Sequence, residues 1–205
     1  MATLAICEKN NAAQRVATIL SDGSYKKTYS NRVPVFRFPW KDTEMIVVGL
    51  RGHILNFDYP ERFKNWDIDD LGEMVGTRPV KNPTAGWISK TLKELGKQVD
   101  TVIVATDFDR EGELIGAEAV SIMNLDPDII IKRARFSSLT RPEILEAFDN
   151  LIELDNNLAL SAEARQIVDL AWGAILTRFM STSTGKLGAD FLSVGRVQSP
   201  TLALV

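Results

Sequence analysis

Four carboxylates stand at alternate positions in the stretch 105–113, Ala-Thr-Asp-Phe-Asp-Arg-Glu-Gly-Glu: Asp107, Asp109, Glu111 and Glu113. Directly ahead lies the run 101–104, Thr-Val-Ile-Val, which reads as a buried strand. Like charges this close repel, and desolvation at a strand end adds to the cost, so the cluster calls for a compensating positive charge. Oxygen donors alone suit a hard divalent cation such as Mg²⁺, with water filling the remaining positions. Asp107 and Asp109 have strand spacing and share a face. Glu111 and Glu113 fall in the first turn of a helix, where the macrodipole favours acids. The plainer alternative is a solvated acidic turn. A second charged pair counts against it: Glu8-Lys9 follows another apolar run, residues 4–7. Glu8 suits a general acid or base, and Lys9 a cation facing a phosphate.

The elements that must position these groups alternate in type. Residues 4–7 read as a strand, and 12–20 as a helix with Asn10 and Asn11 as N-cap candidates, ended by Asp22-Gly23. Residues 24–44, with Pro34 and Pro39, predict an edge strand or extended loop. Residues 45–50 predict a second buried strand, and 58–84 a long connection without periodicity. A helix at 87–95, a strand at 102–105, a helix at 114–123 and a strand at 128–132 follow. This order predicts an α/β domain with a mostly parallel sheet flanked by helices, in which function gathers at the carboxyl ends of strands. From residue 140 the pattern is helical: one helix after Pro142, a longer one over 158–180, and another from 198. We place the domains at 1–138 (α/β) and 139–205 (an incomplete helical domain). The last apolar helix stops at Val205 with no terminating Gly, Pro or polar tail, which predicts a truncated chain.

Composition narrows the chemistry. Cys7 is the only cysteine and His53 the only histidine, so disulfides and Cys- or His-rich metal sites are excluded within the chain. A reducing, cytoplasmic location is expected. No apolar run approaches the roughly 18–20 residues of a membrane helix. The net charge of −3 is not the basic footprint of a nucleic-acid binder. The surplus acid lies in residues 1–131, with 16 basic and 19 acidic residues against eight of each in 132–205. A metal bound at the acidic cluster would reverse the local field.

Ile-Cys-Glu8-Lys9-Asn-Asn together with Asp107-x-Asp109-Arg110-Glu111-Gly-Glu113 resembles the Toprim domain, and more narrowly the N-terminal part of a type IA DNA topoisomerase. Gly52-His53, Ala164-Arg165-Gln166-Ile-Val-Asp169 and Ser193-Val-Gly195-Arg196-Val197-Gln198 extend the resemblance from about residue 3 to the last residue. Lysine directly after the glutamate is similar to the topoisomerase III and archaeal branch. The resemblance implies ATP-independent cleavage and rejoining of one DNA strand through a 5′-phosphotyrosine. Glu8 would manage the proton of the leaving 3′ oxygen and Lys9 would stabilise phosphate charge. Asp107, Asp109 and Glu111 would hold Mg²⁺, with Glu113 as a supporting acid. Arg165, Asp169, Arg196 and Gln198 would bind single-stranded DNA. His53 and Arg110 would lie at the active site, although a lone histidine after a strand is ordinarily a structural, hydrogen-bonded residue. For Arg165 and Asp169 the plainer reading is an i,i+4 surface pair. A monomer is expected, nucleoid-associated in a prokaryote.

The family's nucleophilic tyrosine sits in a Tyr-Pro-Arg-Thr-like motif that residues 1–205 lack; the tyrosines present are Tyr25, Tyr29 and Tyr59. Tyr59-Pro60-Glu61-Arg62 has a different order, and Tyr59 is expected to be structural. A fragment lacking its nucleophile should be inactive alone. Two other readings stay open: a complete metal-dependent Toprim nuclease, and a non-enzymatic α/β module that binds phosphate-bearing ligands at the loop of residues 8–11.

Overall fold

The computed structural model describes residues 2–205. They form two compact units that alternate along the chain: Met1–Leu55 with Pro83–Ala162, and Asn56–Asn82 with Glu163–Val205. In chain order the elements are β1 (Ala2–Cys7), α1 (Asn10–Leu20), β2 (Lys26–Ser30), β3 (Val33–Trp40), β4 (Thr43–Gly49), β5 (Leu55–Asp58), a 3₁₀ turn (Glu61–Phe63), α2 (Leu71–Gly76) and β6 (Val80–Pro83). Then come α3 (Gly86–Gly96), β7 (Thr101–Ala105), α4 (Arg110–Met123), β8 (Ile130–Arg133), α5 (Arg141–Asp149), α6 (Asn156–Ser183), a 3₁₀ turn (Gly188–Asp190) and α7 (Gln198–Ala203).

The first unit is an α/β layer structure around a six-stranded sheet in the order β2-β3-β4-β1-β7-β8. β4, β1, β7 and β8 run parallel, and β3 and β2 add antiparallel pairs at one side. The central strands are apolar throughout because both faces are covered. Leu4, Ile6, Ile46, Val48 and Val102 meet Ile88, Leu92 and Leu95 of α3 and Ile115, Ala119 and Met123 of α4. The alternate residues Ala5, Cys7, Met45, Val47 and Ile103 meet Val16 and Ile19 of α1 and Ile144 and Phe148 of α5. Each fully buried Leu, Ile or Phe contributes about 1.5–3 kcal/mol relative to exposure.

Residues 24–44 form more than an edge strand. β2 and β3 make a hairpin, and β3 lies inside the sheet despite Pro34 and Pro39. The pairing registers explain this. Pro34 pairs with Tyr29 of β2 before the β4 pairing begins at Val35, and Pro39 pairs with Glu44 of β4 after the β2 pairing has ended at Arg37. Each proline therefore sits where β3 has one neighbour, the edge-like setting that proline tolerates. The N-cap of α1 also differs from expectation. It is Lys9, in extended conformation and without a side-chain cap, and Asn10 is the first helical residue.

The second unit contains the two-stranded sheet β5-β6 and a small core of Tyr59, Phe63 and Met74 packed with Leu170, Ala174 and Ile175 of α6. The stretch read as a long connection thus holds short elements of its own. Four-residue strands, with all four β6 residues exposed, leave too little periodicity to detect in the sequence.

Candidate active site

The two cores assign the helices to faces. α1 packs on the face of Ala5 and Cys7, and α4 on the face of Leu4 and Ile6. β1 and β7 are neighbours, so the helices that follow them leave to opposite sides and open a crevice at the carboxyl ends. Cys7 is in register with Gly49 on one side and Ala105 on the other. Glu8, Leu50 and Thr106 therefore emerge at one level. The approach is close: a Cβ on Gly49 would lie 2.5 Å from the Asn10 Cα.

Glu8 and Lys9 form an ion pair, Nζ to Oε1 3.1 Å, in which Glu8 is 15% exposed and Lys9 69%. The hydrogen bond to Glu8, its charge and that of Asp107 hold the Lys9 ammonium above its ordinary pKa. The Asp107 carboxyl, exposed yet partly desolvated, is pushed up chiefly by that desolvation, then by the negative charges of Glu8 and Asp109, against the pull of Lys9 and Arg133. The ends of β1 and β7 thus share one electrostatic field with an excess of negative charge.

The loop from β7 into α4 is tightly built. Asp109 is the N-cap of α4, its Oδ1 accepting from the Gly112 N–H at 2.7 Å. Thr106 Oγ1 donates to the Gly112 carbonyl at 2.7 Å. A Cβ on Gly112 would stand 2.1 Å from the Asp107 carbonyl oxygen, so only glycine fits. Below the loop lies Arg133 of β8, fully buried. Its Nη1 donates to the carbonyls of Val104 (3.1 Å), Thr106 (2.8 Å) and Ala134 (2.8 Å), and its Nη2 to that of Asp107 (2.8 Å). The guanidinium ties down the backbone that carries the two aspartates.

The four carboxylates do not converge as their spacing suggested. Glu113 is 1% exposed and faces inward: Oε2 accepts from Arg133 Nε at 2.7 Å and Oε1 from the Asp155 N–H at 2.7 Å. It pairs with Arg133, since Asp109 caps the helix and the helical turn after it carries position 113 toward the sheet. Glu111 lies 3.4 Å from His53 Nε2, and His53 Nδ1 lies 3.4 Å from Oε2 of the buried Glu118. The hydrogen bond to Glu118 and the charges of Glu118 and Glu111 raise the His53 pKa against desolvation. Arg110, exposed, is the first residue of α4. Among the described residues no three carboxylate, imidazole or thiolate side chains are arranged as a ready metal cage. What fits a hard cation is the donor chemistry: carboxylate oxygens of Asp107 and Asp109 within one another's field and that of Glu8.

In the second unit Asp169 receives both arginines. Arg165 Nε lies 3.7 Å from Oδ2, and Arg196 Nε pairs with Oδ1. Gln198 Oε1 accepts from Ser193 Oγ at 3.2 Å. Tyr59 is buried, its ring edge-on to Phe63 with centroids 5.9 Å apart, and burial pushes its phenol up.

Sequence reasoning passed over Arg133, Glu118 and Phe108. Arg133 falls at an inward position of the run Ile-Ile-Ile-Lys-Arg, and a charge there is the one signal that marks it. Phe108 lies under the Arg135 guanidinium at 4.1 Å and lines a cavity of about 400 Å³ with Asp107, Asp109 and residues 136–139.

The Toprim domain family model matches residues 3–139, and the DNA topoisomerase model matches residues 153–205. The chain belongs to the Toprim family. Among individual proteins, it is 46% identical to DNA topoisomerase 1 of Archaeoglobus fulgidus and 42% identical to DNA topoisomerase 1 of Thermoplasma acidophilum, over 100% and 98% of its length. Human DNA topoisomerase 3-alpha is 30% identical over 98% of the chain. The chain spans 31%, 26% and 22% of these three relatives. The structure of full-length topoisomerase I from Thermotoga maritima superposes with a TM-score of 0.65 at 26% identity, covering 98% of this chain and 29% of that one.

Proposed function

We propose that the chain is the N-terminal part of a type IA DNA topoisomerase, acting in the cell interior on a single-stranded segment of DNA. The observation that carries this reading is the meeting of Glu8-Lys9 with Asp107 and Asp109 across the adjacent ends of β1 and β7. In the reaction, a tyrosine outside residues 1–205 gives up its phenolic proton to water and forms an O–P bond to the 5′-phosphate while the P–O3′ bond breaks. Glu8 gives a proton to the departing 3′ oxygen and takes it back on rejoining. Lys9, an ammonium at neutral pH, faces the phosphate charge. Asp107 and Asp109, with Glu111, would hold Mg²⁺, which supplies further positive charge opposite the phosphate. Arg133 acts through the backbone, holding the Asp107 carbonyl while the carboxylates bind. Arg196 and Arg165, gathered on Asp169, and Gln198 belong to the strand-binding part. The buried Tyr59 supports a structural role rather than a nucleophilic one, so Tyr59→Phe in the full-length enzyme should still form the covalent DNA adduct.

An immunoblot of the source cells with an antibody to this chain tests the reading. A band several times larger than 22.8 kDa is expected. A native band at 22.8 kDa overturns it in favour of a metal-dependent Toprim nuclease. Calorimetric Mg²⁺ titration is the second check. Asp107→Asn/Asp109→Asn should abolish binding, and unchanged binding would instead support a phosphate-binding module without a metal role.

A further inference from the structure

A second cationic feature lies one step from Glu8-Lys9. Lys9 forms a β-bridge with Arg51, and the Gly52 N–H donates to the Glu8 carbonyl at 3.0 Å, so residues 50–52 are stitched to the start of α1. The Arg51 guanidinium lies over the indole of Trp87, 4.7 Å from the ring centroid. Trp87, in the first turn of α3, is itself packed against the core, which fixes the platform under the guanidinium. Asn31 and Arg32 from the β2–β3 turn complete the lining of a cavity of about 470 Å³.

The turn is an unusual choice of residues. Asn31 and Arg32 both have positive φ, 46° and 69°. Such a turn favours glycine at its second central position, where arginine is strained. Local rules broken in this way concentrate at functional sites. The turn is also pinned. Asn31 Nδ2 donates to Glu94 Oε2 (2.9 Å) and Thr91 Oγ1 (3.3 Å), and Ser30 Oγ donates to Glu94 Oε2 (3.1 Å). Glu94 is thereby engaged with the turn, and among the described residues neither Arg32 nor Arg51 is paired with a carboxylate.

We propose that this cleft binds a phosphodiester of a single DNA strand continuing from the Glu8-Lys9 site. Arg32 and Arg51 contact the phosphate, and the flat Arg51 guanidinium, held by Trp87, stacks a neighbouring base. This rests on the DNA-acting reading above. A strand suits the cleft better than a free anion because the cleft adjoins Lys9 along the backbone. It suits it better than an acidic peptide because a carboxylate does not use the stacking plane.

The test is fluorescence anisotropy of the 205-residue chain with labelled oligothymidylates of increasing length, over a salt series. Arg32→Gln/Arg51→Gln should weaken binding roughly tenfold or more and lower the slope of log affinity against log salt by about 0.7, the value for one single-strand phosphate neutralised. Trp87→Leu, its folding checked by thermal melting, should weaken binding and leave the slope intact. Lys26→Gln/Lys27→Gln, on the same hairpin but outside the cleft, should change the slope less than the arginine pair does. An equal change would mean a diffuse field and would overturn the cleft. So would wild-type binding that the arginine variant leaves untouched, or competition by inorganic phosphate, thymidine monophosphate or polyglutamate as strong as that of a longer strand. Absence of any wild-type binding at low salt would instead sink the DNA reading and this inference with it.

Discussion

Two arginine–carboxylate clusters, one in each unit, look alike on a list of ion pairs and do different work. In the first unit Arg133 and Glu113 are 0% and 1% exposed, and every hydrogen bond of the guanidinium lands on the carboxylate or on a backbone carbonyl. In the second unit Asp169 and its two arginines are each more than a third exposed or close to it. Water can replace the partners of Asp169 but not those of Arg133. Burial turns the same pair of side chains from an adjustable surface contact into a fixed brace.

The comparison breaks most readily at Arg133. Arg133→Ala should cost about 3–5 kcal/mol in urea unfolding, because it strands a buried carboxylate and several carbonyls. A loss below about 1 kcal/mol would erase the difference between the clusters. His53→Gln comes next, at roughly 1 kcal/mol. Because the folded pKa of His53 is raised, its stabilisation is complete below the usual histidine value and disappears as pH rises through the raised one. Melting curves should therefore separate variant from wild type in mild acid and converge in mild alkali.

Asp107→Asn should act in the opposite direction. A raised carboxyl pKa means that ionisation costs the folded state, so removing the charge should stabilise the metal-free protein at neutral pH, by under about 1 kcal/mol at this exposed side chain. The gain should vanish in acid, where the native carboxyl is protonated in both states, and thermal melts at the two pH values decide it. Arg165→Gln is the smallest effect, about 0.3–0.5 kcal/mol in chemical denaturation. A cost like that of Arg133 would show the Asp169 cluster to be a brace as well.

The central strands and their helices were legible in the sequence because strands covered on both faces are continuous apolar runs, and the helices carry amphipathic stripes. The carboxylates at the end of β7 and the pair after β1 were legible as charge following such runs. Which acid faces which partner was not. Four carboxylates at alternate positions read as one set, but a helix begins at Arg110 and the period changes within the motif, so Glu113 turns inward and Glu111 toward His53. The interior position of β3 was hidden by its prolines, since pairing registers are long-range information. Arg133 was hidden because all but one of its partners lie twenty and more residues away.

Glu113 also accepts from the N–H of Asp155, beyond the stretch that matches the Toprim family. During synthesis, the aspartate loop emerges well before β8 delivers Arg133 and before residue 155 follows. Until then the loop lacks its anchor, and Glu113 is a charge without its partners. The acidic crevice is therefore completed only after its own stretch has been made, by residues that carry none of its chemistry. A nascent chain that already displays Asp107 and Asp109 need not yet hold them in place.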